Sequence, residues 1–178
     1  MIPSLDLWIY LVPTQERGNE DNTAGKTHHR TMNETFPLDH RLAHDCHHLA
    51  DLPLSRLLLM NNALLPWFIL VPAVAAVELH ELPTDQQHRL LEEINLISRF
   101  AQRSFAPDKL NVAAIGNIVR QMHIHIVARR VDDICWPGVV WGVSRRTAYG
   151  QPQLDAIAGA LREYLPAQMA VHPPVSKP

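Results

Sequence analysis

The chain is poor in cysteine. Cys46 and Cys135 are the only two in 178 residues. Two cysteines are too few for the disulfide framework of a small secreted domain, and no Cys-x-x-Cys pair of the kind that binds structural zinc occurs. The low count therefore predicts a protein of the reducing cytoplasm.

An excess of basic residues and a long apolar run are also lacking. The 16 lysines and arginines are balanced by 18 aspartates and glutamates, a formal net charge of −2 that disfavours a nucleic-acid binder. The longest apolar stretch, residues 63–77, contains Pro66 and Pro72 and is shorter than the roughly 20 residues of a membrane-spanning helix. The opening residues lack the basic region and cleavage site of a signal peptide. Neither nucleic acid nor a membrane is therefore expected as a partner.

The sequence does contain enough apolar residues, 47%, for a single core. Residues 14–35 are polar and without periodicity, which predicts a flexible extension over residues 1–35, with Met32 as a natural alternative start. The folded domain is expected over residues 36–142. A C-terminal helix and a proline-rich tail should follow over residues 143–178.

The hydrophobic pattern predicts an alternation of helices and hairpins. Helical spacing covers residues 38–49 and 153–165, and a long helix is expected to begin at Thr84, which has capping-box spacing to Gln87. Apolar runs at 55–61, 67–71, 110–115 and 118–128 predict strands. The order helix, hairpin, helix, hairpin, helix indicates an α+β fold, with a long helix packed on an antiparallel sheet.

The strand RQMHIHIVARR, residues 120–130, carries two histidines in an apolar run. Strand alternation places Gln121, His123 and His125 on one face, with the two imidazoles about 6.6 Å apart along the strand. One imidazole can act as a nucleophile if its far nitrogen is protonated and held by a carbonyl. The other can donate a hydrogen bond or a proton to a leaving oxygen. Together they suit displacement at phosphorus.

The histidine pair alone also fits simpler roles. Half-buried, hydrogen-bonded histidines are the commoner explanation of this pattern, and a metal site lacks an evident third ligand nearby. Gly116 could let backbone N–H groups approach a phosphate, assisted by the amides of Asn117 and Asn111, or it could serve only as a hairpin turn.

The longer segment LNVAAIGNIVRQMHIHIVARR resembles the signature of the histidine triad superfamily. The similarity extends back through the long helix and the WFILVP strand and forward to Trp136-Pro137, so that it covers residues 36–142. Its Gln-x-His-x-His form resembles a subgroup related to diadenosine tetraphosphate hydrolases. The resemblance implies a homodimeric hydrolase or transferase that acts at the α-phosphate of nucleotides. No cofactor is implied, although Mg²⁺ can accompany a polyphosphate substrate.

The resemblance also implies roles for individual residues. His123 matches the histidine that becomes nucleotidylated, and His125 matches the one that contacts the phosphate and the scissile-side oxygen. Gln121 occupies the position of the first histidine of the triad. The implied nucleotide ligands are Asn62 (or, less well, Asn61), Asn111, Gly116 and Asn117. No metal ligand is implied.

Two departures from the family pattern favour an alternative. The Gln121 side chain can still orient His123 through a hydrogen bond, but it cannot carry a proton near neutral pH. Trp67, at the position of a supporting histidine, offers one N–H donor. His123 is still present as a nucleophile, but the two histidines that would exchange protons around it are replaced. A nucleotide-binding sensor or scaffold with little catalysis is therefore the second hypothesis, and a zinc-stabilised protein using His40, His44 and His47 or His48 is the third.

The other aromatic and basic residues have less specific interpretations. Core packing is the simplest role for Trp67, whereas Trp136 and Trp141 could stack on a base. The pairs Arg129-Arg130 and Arg145-Arg146 could meet distal phosphates, or could be solvated surface.

Overall fold

The computed structural model describes residues 36–177, and the predicted N-terminal extension lies outside the described residues. The helices are α1 (His40–Asp45), α2 (Thr84–Phe105) and α3 (Gln151–Tyr164). The strands are β1 (Cys46–Asp51), β2 (Ser55–Met60), β3 (Trp67–Pro72), β4 (Lys109–Ala113), β5 (Ile124–Arg129) and β6 (Ala170–Val171). They form one antiparallel sheet in the order β4-β5-β3-β2-β1-β6. The predicted α+β class is confirmed.

One face of the sheet is covered by α2 and α3. Leu90, Ile97 and Phe100 of α2 are at most 1% exposed, and Phe100 meets Phe68 of β3 edge to face with ring centroids 5.6 Å apart. This packing is the main hydrophobic core. Helix α2 ends where Ala106 adopts a left-handed conformation, with φ of 43°, one residue before Pro107.

The opposite face carries a smaller apolar cluster and both histidines. Leu58, Ile69 and Val127 are at most 1% exposed and lie in successive strands β2, β3 and β5. His125 is the cross-strand neighbour of Ile69, so its side chain lies on this second face. No helix in residues 36–177 is long and apolar enough to cross a membrane.

The helix predicted over residues 38–49 is only partly correct. Helix α1 ends at Asp45, and the chain continues as β1. Leu49 and Ala50 are both fully buried in the main core, and a β-bulge lies between His48 and Ala50. Two adjacent buried residues break strand alternation, so the sequence pattern mimicked a helix.

Two predicted boundaries also need correction. Thr84 does not cap α2, because Pro83 is the N-cap residue without a side-chain hydrogen bond, and the Gln87 amide donates instead to the carbonyl of Leu82. The strand predicted from residue 118 begins at Ile124. Residues 114–123 form a loop, which brings the glycine turn and Gln121 out of the sheet.

Candidate active site

His123 is held in one orientation by a main-chain oxygen. Its Nδ1 lies 2.7 Å from the carbonyl oxygen of Gln121. A carbonyl can only accept, so Nδ1 carries the proton and Nε2 of the neutral ring keeps its lone pair. This is the tautomer required of a nucleophile.

His125 has the opposite arrangement because of Trp67. The indole Nε1–H of Trp67 donates to Nδ1 of His125 over 2.9 Å. Because indole N–H is only a donor, Nδ1 must accept, and the neutral His125 ring carries its proton on Nε2. The rings of His123 and His125 meet edge to face with centroids 4.8 Å apart, so the ring that keeps a free lone pair and the ring that keeps an N–H donor are neighbours.

The surroundings of His125 keep it neutral. It is only 5% exposed, and Trp67 beside it is 8% exposed. Burial, and then the neighbouring His123, lower the pKa of His125 to about 3. At neutral pH His125 therefore offers a hydrogen bond from Nε2 but no positive charge.

Trp141 completes an aromatic wall around His125. The centroid of its ring lies 5.5 Å from that of His125 and 5.9 Å from that of Trp67, and both contacts are edge to face. Its indole N–H is buried and has no hydrogen-bond partner in the described part of the chain. By contrast, Trp136 lies against Arg129, whose guanidinium carbon is 5.6 Å from the ring centroid.

The side chain of Gln121 is engaged away from the histidines. Its Oε1 accepts from the backbone N–H of Asp39 over 2.8 Å, and its Nε2 donates to the carbonyl of Pro37 over 3.0 Å. The sequence suggested that this side chain orients His123. In the structure the Gln121 carbonyl does so, and the carboxamide instead fastens the segment before α1.

The side chains of Asn61 and Asn62 connect the loop after β2 to the segment before α3 through hydrogen bonds. Oδ1 of Asn62 accepts from the backbone N–H groups of Leu64 and Thr147, and Oδ1 of Asn61 accepts from that of Tyr149. Asn62 is 6% exposed. Its carbonyl oxygen therefore has protein partners, and a ribose contact would have to use the amide nitrogen.

Asn111 lies on the same face of the sheet as His125, in the neighbouring strand. It is the cross-strand neighbour of Val127, and its Oδ1 accepts from Arg129 over 2.8 Å. Arg129 is 1% exposed and forms a two-point ion pair with Asp133, with N–O distances of 2.6 and 3.0 Å. The prediction that Arg129 is either solvated or free for a phosphate is wrong. Sequence alone gave no sign that one arginine of the pair would be buried.

Gly116 needs the freedom of glycine, because its φ is +69°. It lies with the exposed Asn117 in the loop that leads from β4 to the two histidines. The turn that the sequence predicted is therefore present. Among the described residues, Asn117 forms no hydrogen bond with His123 or His125.

The histidines of residues 40–48 do not form the zinc set that helical spacing suggested. His40 and His44 are exposed on α1, with 83% and 86% of their side-chain surface accessible. His47 is buried on the helix-covered face of β1, opposite Leu59, and His48 lies on the other face. The helix ends before the set is complete, which separates its members.

The fold and the histidine pair define a class of protein. The HIT domain model matches residues 41–132. Among solved structures, a histidine triad protein of Bradyrhizobium japonicum is 42% identical, with a TM-score of 0.70 over 72% of this chain and 97% of that chain. One from Marinobacter aquaeolei VT8 is 43% identical, with a TM-score of 0.70 over 73% and 96% of the two chains.

A third, from Sinorhizobium meliloti 1021, is 39% identical, with a TM-score of 0.71 over 74% and 98% of the two chains. A search of the curated proteins found no match. The chain belongs to the histidine triad family, whose general role is nucleotide hydrolysis or transfer.

Proposed function

We propose that this chain is a nucleotide hydrolase or transferase that acts at the α-phosphate through a nucleotidyl intermediate on His123. The observation that supports the proposal is the complementary protonation of the two histidines. The Gln121 carbonyl leaves a lone pair on Nε2 of His123, and Trp67 leaves a proton on Nε2 of His125. A nucleophile and a hydrogen-bond donor are therefore prepared before substrate binds.

In the proposed reaction, Nε2 of His123 forms a bond to the α-phosphorus as the bond to the leaving oxygen breaks. The leaving group departs with that electron pair. The positive charge that develops on His123 is stabilised by the Gln121 carbonyl at Nδ1, 2.7 Å away. Water then attacks phosphorus, the P–N bond breaks with its electron pair returning to Nε2, and a nucleoside monophosphate and a proton are released.

The state of His125 favours one class of leaving group. A neutral imidazole donates a hydrogen bond well but is a very weak acid, and the pKa of about 3 keeps the charged ring unpopulated near pH 7. A phosphate leaving group needs no proton to depart, whereas an amine does. The proposed substrates are therefore phosphoanhydrides, such as dinucleoside polyphosphates, ahead of phosphoramidates. This agrees with the subgroup that Gln-x-His-x-His resembles.

The remaining proposed contacts come from the family resemblance. Gly116 and Asn117 would lie beside the phosphates, Asn111 would be an upstream ligand, and Asn62 would reach the ribose through its amide nitrogen. The chemistry is carried by the two imidazoles without a resident metal. Mg²⁺ would enter with a polyphosphate substrate and neutralise part of its charge.

The test is a panel of adenylated and guanylated phosphoanhydrides and phosphoramidates. His123→Ala is expected to abolish turnover while an adenine nucleotide still binds by calorimetry. His88→Ala, at an exposed position on α2, is the matched control and should retain the wild-type rate. Hydrolysis of every substrate by His123→Ala at the wild-type rate would contradict the proposal.

The alternative is a nucleotide sensor with little catalysis. It is favoured by the absence of a charged acid at His125 and by the commitment of the Gln121 side chain to Pro37 and Asp39. Intact-mass measurement after incubation with substrate separates the two functions. A nucleotidyl adduct or steady product supports the enzyme, whereas tight binding without either supports the sensor.

We further propose that the chain forms a homodimer through the β4 edge of the sheet. Strand β4 ends the sheet on this side, and Val112, Ile115 and Ile118 on it or just beyond it are 47%, 41% and 76% exposed. Light scattering should give twice the chain mass. Val112→Lys should reduce the mass to one chain, whereas Val131→Lys, at another exposed valine, should not.

A further inference from the structure

Three side chains with metal-binding groups converge at the edge of the sheet formed by β1 and β6. Asp51 lies between two imidazoles: its Oδ1 is 2.9 Å from Nε2 of His48, and its Oδ2 is 2.9 Å from Nε2 of His172. The rings of His48 and His172 have centroids 4.4 Å apart. The candidate ligand atoms of all three residues lie within 4.8 Å of one another.

The bulge in β1 is what brings His48 and Asp51 together. Residues three apart in a regular strand point to opposite faces of the sheet. The register shifts between His48 and Ala50, and Leu49 and Ala50 both enter the helix-covered core. Asp51 is thereby returned to the face of His48. Bulges that re-aim a side chain in this way are frequent beside functional sites.

His172 reaches the same place from the C-terminal segment. Strand β6 pairs with β1 through Ala170 and Val171, and the backbone N–H of His172 donates to the carbonyl of Leu49 over 2.8 Å. The cluster is half-buried, with side-chain exposures of 32%, 24% and 32% for His48, Asp51 and His172. A ligand bound there would have protein on one side and water on the other.

This cluster is separate from the histidines of the proposed reaction. His48, Leu58, Ile69 and His125 are successive cross-strand neighbours on one face of the sheet. Three steps between strands amount to about 14 Å. The two groups therefore cannot share one metal ion.

We propose that His48, Asp51 and His172 form a zinc-binding site that fastens the C-terminal segment to β1. Two imidazoles with one carboxylate suit zinc better than Mg²⁺ or Ca²⁺, which prefer oxygen ligands. Three protein ligands leave a fourth tetrahedral position for water on the exposed side.

The geometry needs only a small adjustment to accept zinc. Bonds of about 2.0–2.2 Å at a tetrahedral angle place ligand atoms roughly 3.3 Å apart. The two imidazole–carboxylate distances of 2.9 Å would open slightly as zinc replaces the shared protons, and the three ligand atoms already lie within 4.8 Å of one another. Zinc has no geometric preference from its d electrons, so it tolerates such an arrangement.

The experiment measures Zn²⁺ alone, in competition with a chromogenic chelator, on the full chain without a histidine tag. The wild type should bind one zinc per chain at this site. His48→Ala, Asp51→Asn and His172→Ala should each weaken it by at least about 100-fold, since even partners of the ligands contribute about 10- to 100-fold. His88→Ala and His123→Ala are the controls and should bind zinc like the wild type.

A second readout guards against misfolded variants. His172 follows the last strand, so His172→Ala should retain the wild-type circular dichroism. Zinc should raise the melting temperature of the wild type but not that of this variant, and bound Co²⁺ should give tetrahedral visible absorption only in the wild type. Failure of the wild type to bind zinc, equal binding by His172→Ala, or loss of binding in His123→Ala would each overturn the proposal. If the wild type binds no zinc, the cluster only joins the C-terminal segment to β1 through hydrogen bonds.

Discussion

Trp67→Phe tests the mechanism most directly, because it removes one N–H group while keeping an aromatic ring in β3. The indole N–H is the group in the structure that assigns the proton of His125 to Nε2. Without it, the two neutral forms of the ring compete, and Nδ1 becomes a buried acceptor with no partner from residue 67. A productive His125 donor should then be present only part of the time.

The expected magnitude follows from the energy of one buried hydrogen bond. Leaving a buried acceptor unsatisfied costs about 1–3 kcal/mol. The part of this cost that disfavours the productive ring form, about 1 kcal/mol, should lower kcat roughly fivefold, at about 1.4 kcal/mol per factor of ten, and should leave both forms detectable. Adding the smaller volume of phenylalanine, unfolding in urea should show a loss of about 2–4 kcal/mol. His123 keeps its carbonyl partner, so the nucleotidyl adduct should still form, but more slowly.

The pH profile provides the decisive measurement. With the pKa of His125 at about 3, the wild-type rate should show no acid limb from this residue between pH 5 and 8. Because the folded pKa lies below that of the unfolded chain, His125 stabilises the fold fully above about pH 6.5, and this contribution is lost as the pH falls toward 3. Trp67→His, whose ring can accept from a protonated Nδ1, should raise the pKa of His125 and flatten that dependence.

Nitrogen NMR of the His125 ring distinguishes the tautomers directly. The wild type should show a protonated Nε2 and an accepting Nδ1, and Trp67→Phe should show a mixture. If Trp67→Phe keeps both the wild-type rate and the wild-type ring signals, Trp67 only fills space, and the assignment of His125 as a prepared donor is wrong.

Two further predictions concern the supports of the site. Arg129→Lys should destabilise the fold by about 1–3 kcal/mol in urea, because one ammonium cannot reproduce the two-point pair with Asp133 and leaves buried acceptors unpaired. An effect well below about 1 kcal/mol would mean that the pair is not buried in solution. Gly116→Ala should lower kcat/KM and cost about 1–2 kcal/mol, because alanine is strained at a φ of +69°. Its control, Gly159→Ala inside α3, has open space around the added methyl group and should leave kcat/KM unchanged and raise stability by about 0.5–1 kcal/mol.

The fold was largely predictable, because its long periodic elements are locally consistent. Helix α2 and strands β2 and β3 were placed within a residue or two by apolar spacing, and their hairpin followed from chain order. Strand β1 was mistaken for a helix because its bulge buries two adjacent residues. Strand β6 has only two residues, Ala170 and Val171, which is too short to show any period.

The chemistry of the site was less predictable than its residue types. The spacing of His123 and His125 is a property of the local sequence, so it was visible at once. Which nitrogen carries each proton depends on partners that folding supplies. The Gln121 carbonyl is local, but Trp67 is 58 residues away from His125. The sequence predicts core packing for Trp67, and the side chain is buried, but a core role alone does not indicate that its N–H has a specific acceptor.

Gln121, the residue that departs from the triad, leads to a last prediction. If the reaction were slow because residue 121 is not a histidine, Gln121→His would accelerate turnover. The structure argues otherwise, because the group that orients His123 is the main-chain carbonyl, which the substitution leaves in place. The side chain serves Pro37 and Asp39, with hydrogen bonds of 3.0 and 2.8 Å that an imidazole is poorly shaped to reproduce together.

We therefore expect Gln121→His to change kcat by no more than a few-fold and to lower stability by about 1–2 kcal/mol, as two hydrogen bonds are weakened. Gln121→Ala is the matched control and should show a similar loss in urea with a similarly small effect on kcat. Both variants should make residues 36–45 more susceptible to limited proteolysis, because their tie to residue 121 is gone. An increase in kcat of tenfold or more in Gln121→His alone would show that the side chain at this position takes part in the chemistry. The main-chain carbonyl would then not be sufficient to prepare His123.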